Sequence, residues 1–180
     1  MNIGYILINS EQNLSGLKPT ISALTRYHLG DAEIVHVLPK DADLKKYKEI
    51  CPNSYKGQNT VTSLINVGFK KLKSEWGMVL IVGSIVKARI YKKYELFNKS
   101  DKDIFYPLVD HHYGFVDASI NGLTINRAFF NEIGNFPENE MWKSEEAWEA
   151  NSFELCKLLW SMDAEEKGCI FKAILGCKIF

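Results

Sequence analysis

"WGMVLIVGSIVKARIYKKYELF", residues 76–97, decides how the chain is to be read. Met78 to Val82 is an unbroken apolar run rich in β-branched residues. Such a run predicts a strand buried on both faces, as found inside a parallel sheet. Open α/β sheets take their ligands just past the carboxyl ends of these strands. Here that place holds Gly83, Ser84 and Ile85, with Lys87 and Arg89 beyond, and neither a carboxylate nor a histidine.

Upstream, Thr60–Lys73 carries one apolar stripe of Val61, Leu64, Ile65, Gly68, Phe69 and Leu72, which predicts a helix with Asn59 as its cap. Before it, Ile3–Ile8 predicts a first buried strand. Leu17–Leu29 predicts a helix that places Leu17, Ile21, Leu24 and His28 on one side, with Pro19 in the first turn and Gly30 as C-cap. Glu33–Leu38 predicts a second strand, ended by Pro39. One short helix near residues 43–50 and then a loop fill the stretch before residue 60. Strand and helix thus alternate through the first hundred residues, the pattern of a parallel sheet with crossover helices.

Downstream, "DIFYPLVDHHYGFVDASINGLTINRAFF", residues 103–130, is aromatic and β-branched. It predicts two or three strands, then a short helix from Arg127 to Ile133 closed by Gly134. Residues 135–148 read as a loop. Ser144 is placed to cap a long final helix from about Glu145 to Met162, and the apolar tail "GCIFKAILGCKIF" reads as a packed strand or helix. The fold class is α/β: a single three-layer α/β/α domain, residues 1–180, with a mostly parallel mixed sheet.

Twenty-two basic residues balance twenty-two acidic ones, which gives no support to a nucleic-acid surface. No apolar run is long enough to span a membrane, and the first ten residues lack the pattern of a signal peptide. The four cysteines, Cys51, Cys156, Cys169 and Cys177, form no C-x-x-C pair and read as reduced thiols, which suits cytoplasm, including that of an infected host cell.

Four segments together resemble the family 2 glycosyltransferases and their glycosyltransferase-A fold. "KPTISALTRYHLGDAEIVHV" (18–37) is similar to the family's first helix and second strand. "SLINVGFKKLKSEWGMVLIV" (63–82), with Asn66 and Gly68, is similar to the segment leading to the D-x-D motif. "INGLTINRAFFNEIGNF" (120–136) and "SEEAWEANSF" (144–153) are similar to the family's later strand–helix segment and to the acidic pair that opens a helix. The resemblance implies a nucleotide-binding half, residues 1–100, and an acceptor half, residues 101–180. It implies a nucleotide-sugar donor, an unknown acceptor and, in an active enzyme, hexosyl transfer. The family's D-x-D aspartates are absent, since Gly83 and Ile85 stand in their place.

The donor-site residues implied are Asp41, Asn66, Gly83, Ser84, Lys87 and Arg89. Sugar transfer leaves negative charge on the diphosphate, which a carboxylate-held divalent metal, Lys, Arg or a helix N-terminus can stabilise. Gly-Ser-Ile cannot chelate, so no metal ligands are assigned. Lys87 and Arg89 have two open roles, taking the metal's place or lying solvated on a polar helix start. Glu145 and Glu146, Glu146 first, are candidates for the general base, or are first-turn acids favoured by the helix dipole. Asp110, His112 and Trp142 are acceptor-side candidates, while His36, inside an apolar strand, reads as a hydrogen-bonded core histidine. The alternative to an enzyme is a non-catalytic descendant of the fold, kept as a structural or binding piece of a larger assembly with protein partners, a viral one included.

Overall fold

The computed structural model describes residues 1–9, 14–27, 32–86, 90–110, 116–118, 120–138 and 160–174. In chain order the elements are β1 (Ile3–Ile8), α1 (Leu14–Tyr27), β2 (Ile34–Leu38), α2 (Leu44–Lys48), β3 (Ser54–Lys56), α3 (Val61–Lys71) and β4 (Trp76–Ile81). They continue with α4 (Ile90–Phe97), β5 (Asp103–Asp110), β6 (Val116–Ala118), β7 (Thr124–Asn126), α5 (Arg127–Ile133) and β8 (Ile170–Ile174). Residues 160–166 are also helical.

The eight strands form one sheet in the order β3-β2-β1-β4-β7-β5-β6, with β8 paired to β5. The first four strands are mutually parallel. β7 runs antiparallel to both β4 and β5. β5 therefore points the same way as β4, and β8 lies parallel to it. The sheet is mixed: its four-stranded parallel part is built from the first half of the chain, and a second parallel pair, β5 with β8, from the second half.

Two apolar clusters sandwich this sheet. On one face Leu17 and Leu24 of α1 and Ile90, Tyr91 and Tyr94 of α4 pack against Tyr5, Leu7, Met78 and Leu80. On the other, Leu64, Ile65 and Phe69 of α3, Phe129 and Phe130 of α5, Phe136 and Trp160 cover Ile6, Ile8, Val79 and Ile104. This alternation along β1 and β4 is the period-2 geometry of a strand covered on both sides, and the three-layer α/β/α architecture results from it. The second cluster is strongly aromatic: Phe69 stacks on Phe130 at 4.1 Å and Phe136 on Trp160 at 4.5 Å between ring centroids. At Gly68 a Cβ would lie 2.2 Å from Cγ2 of Ile6, so only glycine lets α3 approach β1 this closely.

Four local expectations need correction. α1 begins at Leu14, so Pro19 lies inside the helix and not in its first turn. α3 is capped by Thr60, whose hydroxyl accepts from the Ser63 amide, while Asn59 is turned toward Asp41. Residues 54–56, read as loop, form β3, which pairs with β2 through His36, Val37 and Leu38. The helix at residues 160–166 runs on past Met162, and the start of the expected long helix, like Gly30 and His28, lies outside the described residues.

Candidate functional site at the carboxyl edge of the parallel strands

The parallel strands end side by side at Ile8, Leu38, Lys56 and Ile81. Hydrogen bonds fasten the chain just beyond three of these ends. Val82 donates its amide to the Ile8 carbonyl at 2.9 Å, and Asn9 donates to Val37 at 3.1 Å. After β2, Asp41 is exposed and accepts from Nδ2 of Asn59 at 2.6 Å, while Oδ1 of Asn59 accepts from the Lys40 amide at 3.0 Å. These bonds join the β2–α2 turn to the start of α3. Asp43 is occupied as the cap of α2, where it accepts from the Lys45 amide at 3.1 Å.

The turn after β4 is the most constrained part of this edge. Gly83 has φ +103°, a conformation open to glycine and rarely to other residues. Its amide donates to Oγ1 of Thr20 in α1 at 2.9 Å, and the Thr20 hydroxyl donates in turn to the Gly16 carbonyl at 3.0 Å. A Cβ on Gly16 would come within 3.3 Å of the Gly83 backbone, so two glycines allow helix and turn to meet. Ser84 is buried; its amide reaches the Ile81 carbonyl at 3.0 Å, and its hydroxyl accepts from Nδ2 of Asn121 at 2.7 Å. Oδ1 of Asn121 accepts from the Ile81 amide at 3.0 Å. The end of β4 is thus clamped between α1 and the Asn121–Gly122 turn that leads into β7.

Sequence reasoning singled out Gly83 and Ser84 but missed Thr20 and Asn121, which hold them. Asn-Gly is a recognised turn signal and points to position 121. Thr20 carries no such signal, because its role depends on α1 meeting β4.

Asn66 lies elsewhere and has a different task. It is buried on α3, donates Nδ2 to the Phe136 carbonyl at 2.9 Å and to Oε1 of Glu138 at 2.6 Å, and accepts from the Phe136 amide at 2.9 Å. Its amide group therefore docks the segment after α5 onto α3. Asp110 closes β5 opposite Val116 of β6. Lys87, Arg89, His112, Trp142, Glu145 and Glu146 lie outside the described residues.

His36 is fully buried at the centre of β2. The Ser54 hydroxyl donates to the Cys51 carbonyl at 2.7 Å, so its oxygen accepts from Nδ1–H of His36 at 2.9 Å. Nε2 is then the bare nitrogen, and it has no partner among the described residues. Burial lowers the pKa of this ring to about 4, so it is neutral at pH 7. The free thiols of Cys51 and Cys169 are both pushed up by burial, Cys169 to about 12 with help from the Glu165 and Asp103 carboxylates, which argues against a nucleophilic role for either.

Among the described residues no three His, Cys, Asp or Glu side chains come together to hold a metal ion. Gly83-Ser84-Ile85 offers one hydroxyl and no carboxylate, and that hydroxyl is already bonded to Asn121. These residues do not fit a hard divalent cation.

No protein-family model matches this sequence, and no curated protein does either. Solved structures do match. S. aureus TarS superposes with a TM-score of 0.67 at 12% identity, over 99% of this chain and 36% of that one. The fold is glycosyltransferase-A-like. TarS 1-349 in complex with UDP matches at TM-score 0.65 and 14% identity, over 97% of this chain and 58% of that one. TarS 1-349 in complex with UDP-GlcNAc gives the same TM-score and identity, over 97% of this chain and 56% of that one. The chain thus spans between about a third and three-fifths of the TarS chains it matches. Among the described residues no helix is long and apolar enough to cross a membrane.

Proposed function

We propose that this protein binds a nucleotide-sugar of the UDP type at the carboxyl edge of β1, β2 and β4 and passes the sugar to an acceptor without a D-x-D-held metal. The observation that carries this reading is the superposition, over 97% of the chain, on a protein seen in complex with UDP and with UDP-GlcNAc. Open α/β folds take their ligands at this edge. Residues 1–100 are then the donor half and residues 101–180 the acceptor half, and a cytoplasmic setting supplies such donors. In the donor half, Asp41 and the Gly83–Ser84 turn line the donor cleft, and Lys87 and Arg89 take the diphosphate charge. Glu146, with Glu145 beside it, acts as general base, and Asp110, His112 and Trp142 face the acceptor.

A second reading, a non-catalytic descendant kept for its surface, is favoured by one feature. The Gly83 amide and the Ser84 hydroxyl are already committed to Thr20 and Asn121.

A thermal-shift series with UDP, UDP-GlcNAc, GDP, CDP and dTDP, each with and without manganese, separates the two. A nucleotide present at about 100 times its Kd stabilises by about 2.7 kcal/mol, a shift of several degrees. Stabilisation by UDP or UDP-GlcNAc that is equal with and without manganese, and lost in Lys87→Ala and Arg89→Ala, is the expected result. No shift with any nucleotide overturns the donor site and leaves the second reading. A shift that requires manganese overturns the metal-free assignment.

A further inference from the structure

We infer that the Ser84 hydroxyl donates a hydrogen bond directly to a diphosphate oxygen of the bound nucleotide, and that Asn121 is the positioning residue that orients it. The inference rests on the donor site proposed above and names the group that meets the anion there. Topology places this hydroxyl. From β1 the chain crosses to β2 on one side and comes back to β4 on the other, so the strand order reverses between β1 and β4. A doubly wound sheet opens its ligand crevice at that reversal, beyond the carboxyl ends of the two strands. The Val82 amide, bonded to the Ile8 carbonyl at 2.9 Å, joins the two strand ends at the floor of the crevice. Ser84 follows two residues later. Ile81–Ser84 is a β-turn, closed by the Ser84 amide on the Ile81 carbonyl, with Gly83 at the third position where a positive φ is required.

Asn121 decides what the hydroxyl can do. The Ile81 amide can only donate, so the Asn121 side chain turns its oxygen to Ile81, at 3.0 Å, and its nitrogen to Ser84. That nitrogen can also only donate, so at 2.7 Å the Ser84 oxygen is the acceptor. The bond uses an Oγ lone pair and leaves the hydroxyl proton, which has no acceptor among the described residues. Ser84 is only 7% exposed, and an unmet donor is costly in so dry a place. An acceptor supplied by a ligand removes that cost.

The chemistry of that acceptor follows from the residues at the turn. A carboxylate here would present lone pairs, and lone pairs collect a divalent cation. Gly83-Ser84-Ile85 presents a proton instead, on an oxygen already bonded to Asn121. A fixed hydroxyl of this kind meets an anionic oxygen with no cation between them. In a nucleotide-sugar such as UDP-GlcNAc only the diphosphate carries anionic oxygens. The Ser84–Asn121 bond also joins residues 1–100 to residues 101–180, so it stands at the seam between the donor and acceptor halves. That seam is where a leaving diphosphate must lie if the sugar is to pass from one half to the other.

The test is isothermal titration calorimetry of the full chain with UDP and with uridine, in EDTA, each variant first shown by circular dichroism to be folded at 25 °C. Ser84→Ala is expected to weaken UDP about tenfold to a hundredfold, the worth of a hydrogen bond to a charged group, and to change uridine by less than about twofold. Asn121→Ala is expected to weaken UDP on its own and to add less than about twofold to Ser84→Ala, because it acts through that hydroxyl. Equal UDP affinity in wild type and Ser84→Ala overturns the inference while the donor site stands. So does an equal loss for UDP and uridine, because the hydroxyl then does not meet the diphosphate. An Asn121→Ala loss that is undiminished in the Ser84→Ala background overturns the role of Asn121. UDP binding that appears only when manganese replaces EDTA overturns the direct contact. Wild-type protein that binds no UDP under either condition overturns the donor site and this inference with it.

Discussion

At the amino ends of β2 and β5 the sheet is fastened by buried or multiply bonded carboxylates, whereas the turn at the carboxyl end of β4 is fastened by hydroxyls and side-chain amides. Ahead of β2, Glu33 accepts from the Lys73 amide at 2.9 Å and from both the amide and the hydroxyl of Ser74 at 2.6 Å. At the start of β5, fully buried Asp103 accepts from the Lys99 and Ser100 amides at 2.7 and 3.0 Å and pairs with Lys172. The β4 turn at the other end relies on Thr20, Ser84 and Asn121. The β4 turn and the starts of β2 and β5 thus rely on different polar groups. Carboxylates hold the starts of β2 and β5 and neutral groups shape the β4 turn, while Asp41 and Asp43, at the carboxyl edge, are exposed and bond to a neighbouring side chain and a helix-cap amide.

The contrast is open to attack at several points. Asp103→Ala removes the partner of a half-buried lysine and of two amides, and breaking a buried pair costs about 3–5 kcal/mol. Urea unfolding is expected to show a loss of that size; a loss no greater than that of Ser84→Ala would erase the distinction between the two ends. His36 offers a test between the ends, where charge is excluded altogether. Its pKa is about 4 in the fold, held down by burial, against about 6.5 in the unfolded chain. Between those values the unfolded chain takes up a proton that the native state refuses. Stability is therefore expected to fall as pH is lowered from 6.5 to 4, by up to about 3 kcal/mol, and this contribution is flat below 4. Urea unfolding at stepped pH should show the slope, and His36→Asn should remove most of it. Glu33→Gln, which weakens charge-assisted bonds to a turn, is expected to cost about 2 kcal/mol. Ser84→Ala, which removes one neutral bond, is expected to cost about 1 kcal/mol by the same measurement. If the last two are reversed in order, the carboxyl edge is the more strongly held end.

The sequence was most legible where a residue's neighbours along the chain decide its state. Ile3–Ile8 is one apolar run and became β1 without a shifted boundary, and Arg127–Ile133 with Gly134 became α5 and its cap. It was least legible where a distant segment decides. Ser54–Lys56 has no apolar alternation, and it is a strand because β2 offers an edge and the His36 amide reaches the Asn53 carbonyl. Asn59 has the chemistry of a cap, but Asp41 competes for it and Thr60 takes the position. The same limit applies to the site. The absence of carboxylates at Gly83–Ile85 is plain from the residues, whereas the commitment of Gly83 and Ser84 to Thr20 and Asn121 emerges only when α1 and the β7 turn close around them. Asn66 was singled out because its segment resembles one in the family 2 glycosyltransferases, and its bonds to Phe136 and Glu138 give it a structural task that the resemblance does not foretell.

The pairing of β8 with β5 also sets an order of assembly. The four-stranded parallel part of the sheet comes from residues 3–81 through successive crossovers, so it can begin to form while later residues are still being synthesised. β5 can pair early with β6 and β7, but its other edge must wait for a strand that starts at Ile170, and pairings so distant along the chain close slowly. Until then the nascent chain carries β5 with a bare edge and Asp103 without Lys172. A ribosome that pauses before β8 emerges therefore presents a sheet with one edge of β5 open, the form of the protein that chaperones are most apt to meet.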